Sequence, residues 1–159
     1  MHVAIAINIS AQQLTLTTPE KTWHWPVSTG ARGAGQEEGS WQTPLGRHFI
    51  RARIGEGLDP YAVYRARRPT GECWTPELHA SQLGRDWILG RILWLCGDEP
   101  GFNRHGNVDT QRRFIYIHGT PDSEPMGIPA SHGCIRMRCS DLVELFPLTT
   151  PGMPVTIHL

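Results

Sequence analysis

Phe114-Ile115-Tyr116-Ile117-His118-Gly119 and, after a proline-rich break, Ser131-His132-Gly133-Cys134-Ile135-Arg136-Met137 decide how this chain is read. The first run is apolar, aromatic and β-branched, which predicts a buried strand over 114–117 that delivers His118 at its C-terminal end. Between the two runs, Thr120 to Ala130 holds Pro121, Pro125 and Pro129, so a stiff, non-helical loop should return the chain to Ser131. Cys134 then follows a glycine on a turn. A cysteine attacks only as the thiolate, and a free thiol with a pKa of about 8.5 needs an imidazole or a field of backbone N–H groups to ionise near neutrality. His118, His132 and the glycine-flanked turn offer both, which makes this a candidate cysteine nucleophile site.

Working outward, Val3, Ile5, Ile7 and Ile9 alternate as a first strand, and Gln12 to Thr17 and Trp23 to Val27 make a second and third. Glycine-rich residues 30–40 read as a loop, and Thr43-Pro44-Leu45-Gly46 leads into a strand over Arg47 to Ile54. Pro44 and Gly46 are assigned to simple turn chemistry. Tyr61 to Tyr64 is strand-like, and the basic cluster Arg65, Arg67 and Arg68 reads as a solvated face. Asp86 to Leu95 is mostly apolar and fits a buried strand or a short helix, with aromatic and β-branched content favouring strand over Arg91 to Leu95; Glu99 to Asp109 is a loop, and Ser140 or Asp141 caps a short helix running through Phe146 and ended by Pro147. Pro151-Gly152 turns into a last strand, Val155 to Leu159. Seventeen glycines and thirteen prolines spread along the chain fit short strands joined by turns. A mainly β fold follows.

The 159 residues fit one domain spanning 1–159. A formal net charge of zero and a pI near 7.1 give no pull toward nucleic acid. No stretch approaches the roughly twenty apolar residues of a membrane span. Cys73, Cys96, Cys134 and Cys139 lack metal-ligand or disulfide-framework spacing, so neither metal nor cofactor is expected. Cys73, Cys96 and Cys139 are read as reduced, partly buried thiols, which fits a reducing compartment. Residues 1–9 have no basic n-region or cleavage site. The expectation is a cytoplasmic protein.

Ile117-His118-Gly119 with Ser131-His132-Gly133-Cys134-Ile135-Arg136 resembles the signature of the L,D-transpeptidase (YkuD) catalytic domain, whose cysteine cuts and rejoins peptidoglycan stem peptides. Pro26-Val27-Ser28-Thr29-Gly30 and Thr43-Pro44-Leu45-Gly46 match two further motifs in order, so the resemblance covers nearly the whole chain. Residues 55–113 fit least well and are read as a lid or substrate wall. The resemblance implies a mixed β-sandwich or barrel with one or two short helices. It makes Cys134 the nucleophile and His118 its base, oriented by the backbone carbonyl of Gly119. Backbone N–H groups of His132, Gly133 and Cys134 become the oxyanion donors.

His132 is a substrate contact or a support for the turn, and Ser131 hydrogen-bonds within it. Ser131 and Arg136 are placed at the substrate, Arg136 because a guanidinium holds a carboxylate with two parallel bonds. The implied reaction breaks the bond between the diamino acid at position three of a stem peptide and the D-alanine at position four, leaving a thioester. Capture by water is L,D-carboxypeptidase cleavage; capture by an amine of another stem is a 3-3 cross-link. The expected enzyme is the carboxypeptidase, acting on soluble muropeptides in peptidoglycan recycling. An exported transpeptidase that cross-links stems or attaches protein to the wall is the alternative, and a non-catalytic wall-fragment binding module a third. Acylation by carbapenems also follows from the resemblance.

Overall fold

The computed structural model describes residues 3–159. Met1 and His2, the start of the first alternating run, lie outside the described residues. The chain forms β1 (Ala4–Asn8), β2 (Gln13–Thr17), β3 (Thr22–Pro26), β4 (Gly46–Ile54), β5 (Ala62–Arg65), β6 (Arg68–Cys73), α1 (Pro76–Ser81), β7 (Ile88–Gly97), β8 (Tyr116–Thr120), β9 (Ile135–Arg138), α2 (Cys139–Leu145) and β10 (Pro154–His158). The fold is mainly β with two short helices, and the sheet curls into a half-barrel, as expected.

One path through the sheet runs β3-β2-β1-β10-β4-β7-β5-β6, while β8 pairs with β7 and β9 extends it. Strand β7 is therefore the seam. Its ten residues pair with β4 and β5 along one edge and with β8 along the other. A strand with neighbours on both edges and layers on both faces should read as a continuous apolar run, and Ile88-Leu89-Gly90-Arg91-Ile92-Leu93-Trp94-Leu95 comes close. Around it Ile5, Ile7, Leu14, Leu16, Ile50, Leu93, Leu95, Ile117, Ile135 and Met137 form the main core, with Leu142 and Leu145 of α2 packed in.

Several boundaries differ from expectation. Phe114 is a turn residue: its N–H donates to Gln111 O at 3.1 Å, its φ is +57°, and its ring is 52% exposed. The strand begins two residues later and runs through Thr120, so His118 lies mid-strand rather than at the end. Helix α2 starts at Cys139 after Arg138, with no side-chain cap from Ser140 or Asp141. The α-helix ends at Leu145 with Phe146 as its C-cap, as Pro147 predicts, and a single 3-10 turn over Phe146–Leu148 follows.

Residues 55–113 are only in part a wall, since they include the central strand β7. They also hold β6 and α1, which the sequence reading did not separate out. Thr75 caps α1 by accepting from Leu78 N–H at 3.1 Å, and Pro76 occupies the first turn. All four cysteines are free, but Cys73 is exposed, not partly buried, because β6 is an edge strand.

Candidate functional site

Parallel pairing of β8 with β9 brings the two key segments together. Ile117 faces Ile135 and His118 faces Arg136 across the ladder, and Cys134 sits one residue before β9 begins. A parallel connection needs a long crossover, and the loop with three prolines supplies it. His118, Cys134, Ser131, His132 and Arg136 all line one cavity of about 440 Å³, with Arg67, Asp86, Arg113, Phe114 and Tyr116 among its other walls.

His118 is 2% exposed, and its Nδ1 lies 2.7 Å from the carbonyl oxygen of Gly119. A carbonyl can only accept, so Nδ1 carries the proton and Nε2 keeps its lone pair. Burial holds the imidazole pKa below its ordinary 6.5, the Gly119 carbonyl and Asp86 opposing it. Residue 119 must be glycine for packing reasons: a Cβ there would lie 2.5 Å from Leu89 O and 2.8 Å from Cys139 Sγ.

The sulfur of Cys134 accepts from Tyr116 N–H at 3.3 Å, and its own proton points to Phe114 O, also at 3.3 Å. Burial pushes the thiol up to about 11, with Tyr116 N–H, Arg136 and Arg113 pulling the other way and Asp86 reinforcing the rise. The resting pair is thus thiol and neutral imidazole.

The turn beneath the sulfur is braced from several sides. Ser131 Oγ donates to Cys134 O and accepts from Gly133 N–H, as expected of it. Gly133 has φ +122°, a conformation that favours glycine. Among the described residues, no intramolecular acceptor takes the N–H of His132 or Cys134, whereas that of Gly133 is turned onto Ser131. Two of the three expected donors are free.

Thr43 was read only as part of a motif, yet it ties the site together. Its Oγ1 donates to Gly133 O at 2.8 Å and accepts from Gly30 N–H at 2.8 Å. Ser28 exchanges two backbone bonds with Arg136, each 2.9 Å, and its hydroxyl donates to Ile128 O while accepting from Ala130 N–H. Gln12 fixes Thr29 through both ends of its amide. The motifs at 26–30 and 43–46 thus form the cradle under 131–134. A buried Thr, hydroxyl-bonded to backbone on two far segments, leaves no local signature.

Arg136 lines the cavity as expected of a substrate contact, but its guanidinium is already partnered. Its guanidinium meets Asp86 at 3.1 Å, Ala130 O at 3.3 Å and Glu124 at 3.9 Å, so its charge is already balanced inside the protein. His132 sits 3.6 Å from the same Asp86 and meets Trp41 edge-on. Asp86, which the sequence reading did not single out, holds both.

The profile of the L,D-transpeptidase catalytic domain, YkuD, matches residues 2–157. The chain belongs to that family. No curated protein sequence matches it. Similar solved structures include an L,D-transpeptidase from Mycobacterium smegmatis, 17% identical with a TM-score of 0.61, covering 99% of this chain and 59% of that one. L,D-transpeptidase 3 from Mycobacterium tuberculosis, in complex with a faropenem-derived adduct, is 15% identical at TM-score 0.59 over 99% and 60%. A mutant Enterococcus faecium L,D-transpeptidase is 14% identical at 0.59 over 99% and 50%. The likeness at this identity is one of fold. This L,D-transpeptidase-family chain spans 59% of the length of the first of these structures and half of the last.

Proposed function

We propose that this peptidoglycan L,D-transpeptidase-type enzyme works as an L,D-carboxypeptidase, releasing D-alanine from tetrapeptide stems of soluble muropeptides. The observation that supports the chemistry is the tautomer of His118, whose Gly119 partner leaves Nε2 as a base in the cavity that holds the Cys134 thiol. In this reading His118 Nε2 takes the thiol proton as sulfur turns from Phe114 O and attacks the carbonyl carbon of the diamino acid. Negative charge develops on that carbonyl oxygen within reach of the free N–H groups of His132 and Cys134. Collapse breaks the C–N bond; the D-alanine amine leaves with the proton from His118, and a thioester remains. Water, giving a proton to His118, adds to the thioester. Sulfur then departs and recovers that proton, releasing the tripeptide acid.

With a thiol near 11 and an imidazole below 6.5, ionisation before substrate binding is unfavourable. Four free cysteines, one of them exposed, support a cytoplasmic setting as part of the same proposal.

A cross-linking transpeptidase is the second reading. It is favoured by a further cavity of about 310 Å³ that shares Asp86, Arg113, Ile115 and His132 with the first and opens past Trp41, giving room for an acceptor chain. The deciding experiment incubates the protein and a Cys134→Ala control with a disaccharide-tetrapeptide and follows products by mass spectrometry. Loss of one D-alanine without dimer, absent in the control, is expected. Dimer, or exchange of added D-amino acids, overturns the carboxypeptidase reading in favour of transpeptidation. Carbapenems should acylate Cys134 in either case, read as a covalent mass increase.

A further inference from the structure

Three arginines line the cavity that contains Cys134, and they differ in what their guanidinium groups already hold. Arg113 donates from one terminal nitrogen to Gly35 O and Gln36 O and from the other to Ser40 Oγ and Gln42 O. All four of its terminal N–H groups are used on the loop it anchors. Arg136 is neutralised by Asp86. Arg67 is neither. It donates one bond, from Nη1 to the Tyr116 hydroxyl at 2.9 Å, and among the described residues no carboxylate reaches salt-bridge distance of it.

Arg67 is nevertheless held in place. Its guanidinium carbon lies 4.5 Å from the ring centre of Trp94 and 5.2 Å from that of Phe114. Such stacking fixes the plane of a guanidinium while leaving its edge free to donate. Arg67 belongs to the two-residue turn between β5 and β6, where its neighbour Ala66 takes φ +53°, a left-handed conformation disfavoured for a residue with a Cβ. Strain of this kind beside a cavity-lining side chain persists only where the surroundings hold it. An arginine expected on a solvated face is instead clamped against two aromatic rings and the Tyr116 hydroxyl beside the thiol.

Tyr116 joins the two groups. Its N–H holds the Cys134 sulfur and its phenol oxygen holds Arg67, so a single residue ties the thiol and the guanidinium to the wall of the same cavity. The terminal carboxylate of a tetrapeptide stem lies one residue beyond the scissile bond, so the group that binds it must share the cavity with the thiol. We infer that Arg67 is the carboxylate-binding residue of this site, taking the free C-terminal carboxylate of the residue that leaves. The inference rests on the carboxypeptidase-type reading above and names the group that reading requires at the substrate's end.

The test compares a tetrapeptide muropeptide with its C-terminal amide, in the parent protein and in Arg67→Gln and Arg67→Lys. A charge-assisted bond to the carboxylate predicts that the parent prefers the acid by about 10- to 100-fold in kcat/KM, and that Arg67→Gln collapses this preference toward unity. Arg67→Lys should restore part of it. Equal losses on acid and amide in Arg67→Gln, or no preference in the parent, overturn the assignment, because a structural arginine would affect both substrates alike. Binding of the same two ligands to Cys134→Ala and to Cys134→Ala/Arg67→Gln, read by calorimetry, keeps the test independent of turnover. If no D-alanine is released but the acid still binds more tightly through Arg67, the reaction proposed above fails and the carboxylate site stands. Equal binding of acid and amide overturns the site.

Discussion

The two walls of the cavity are built in opposite ways. On one side, residues 131–134 are tied to segments far away in sequence by Ser131, Thr43 and the backbone exchange of Ser28 with Arg136. On the other, Ala66 and Arg67 come from the turn between β5 and the largely exposed β6, so this wall rests on the inward strand β5 and on the stacking of Arg67 against Trp94 and Phe114. A nucleophile is sensitive to displacements of a fraction of an ångström, whereas a wall that admits substrate needs only to hold its shape on average. Density of long-range hydrogen bonds separates the two tasks.

The sharpest break removes the base. His118→Ala should lower kcat by about a hundred- to ten-thousand-fold while the protein remains folded, measured by D-alanine release. Next comes the cradle against the helix α1. Thr43→Val strands Gly30 N–H and Gly133 O and should cost about 1–3 kcal/mol in denaturant unfolding together with a clear fall in kcat. Thr75→Ala, which uncaps α1 outside the cavity lining, should cost about 1 kcal/mol or less and leave kcat close to the parent value. Comparable losses of kcat in both would erase the distinction.

A further effect is read through pH. His48, buried between Gly46 O and Thr110 Oγ1, has its pKa lowered from 6.5 to about 4 by desolvation. Unfolding lets it bind a proton that the folded state refuses between those values, so the unfolded chain is favoured as pH falls through 6.5, and the loss levels off below about 4. The full penalty is of order 3 kcal/mol. Chemical unfolding at pH 7 and pH 4.5 should show it, and His48→Gln should flatten the slope, leaving the portion due to His118, which is shifted the same way.

Much of the mainly β architecture could be read beforehand because alternation in β1 and β2 and the apolar run of β7 are local consequences of which faces are covered. The cysteine turn was equally legible, since a glycine and a serine around a thiol act within a few residues of one another. Phe114 was misread because its type favours strand, while its turn is set by Gln111 O and its ring stays largely in solvent. Arg67 was misread for a related reason: a basic cluster looks solvated until Trp94, Phe114 and Tyr116, all distant in sequence, arrive on one side of it. Thr43 and Asp86 act only through partners on other segments. No periodicity within their own neighbourhoods announces them.

The position of β10 bears on how the molecule assembles. The last strand of the chain lies between β1 and β4, parallel to the first strand and antiparallel to the second of these. Until Val155 to His158 have left the ribosome, β1 lacks its strand link to β4, and the meander of β1 to β3 reaches the Cys134 half of the sheet through isolated bridges such as Ser28 to Arg136 and Gly30 to Ser131. Synthesis order therefore withholds the complete sheet until β10 emerges, and closure must join segments as far apart in sequence as Ile5 and Val155. Contacts of that sequence separation slow folding. Interrupted translation would leave the edges of β1 and β4 without their shared neighbour, each open to pairing with another chain.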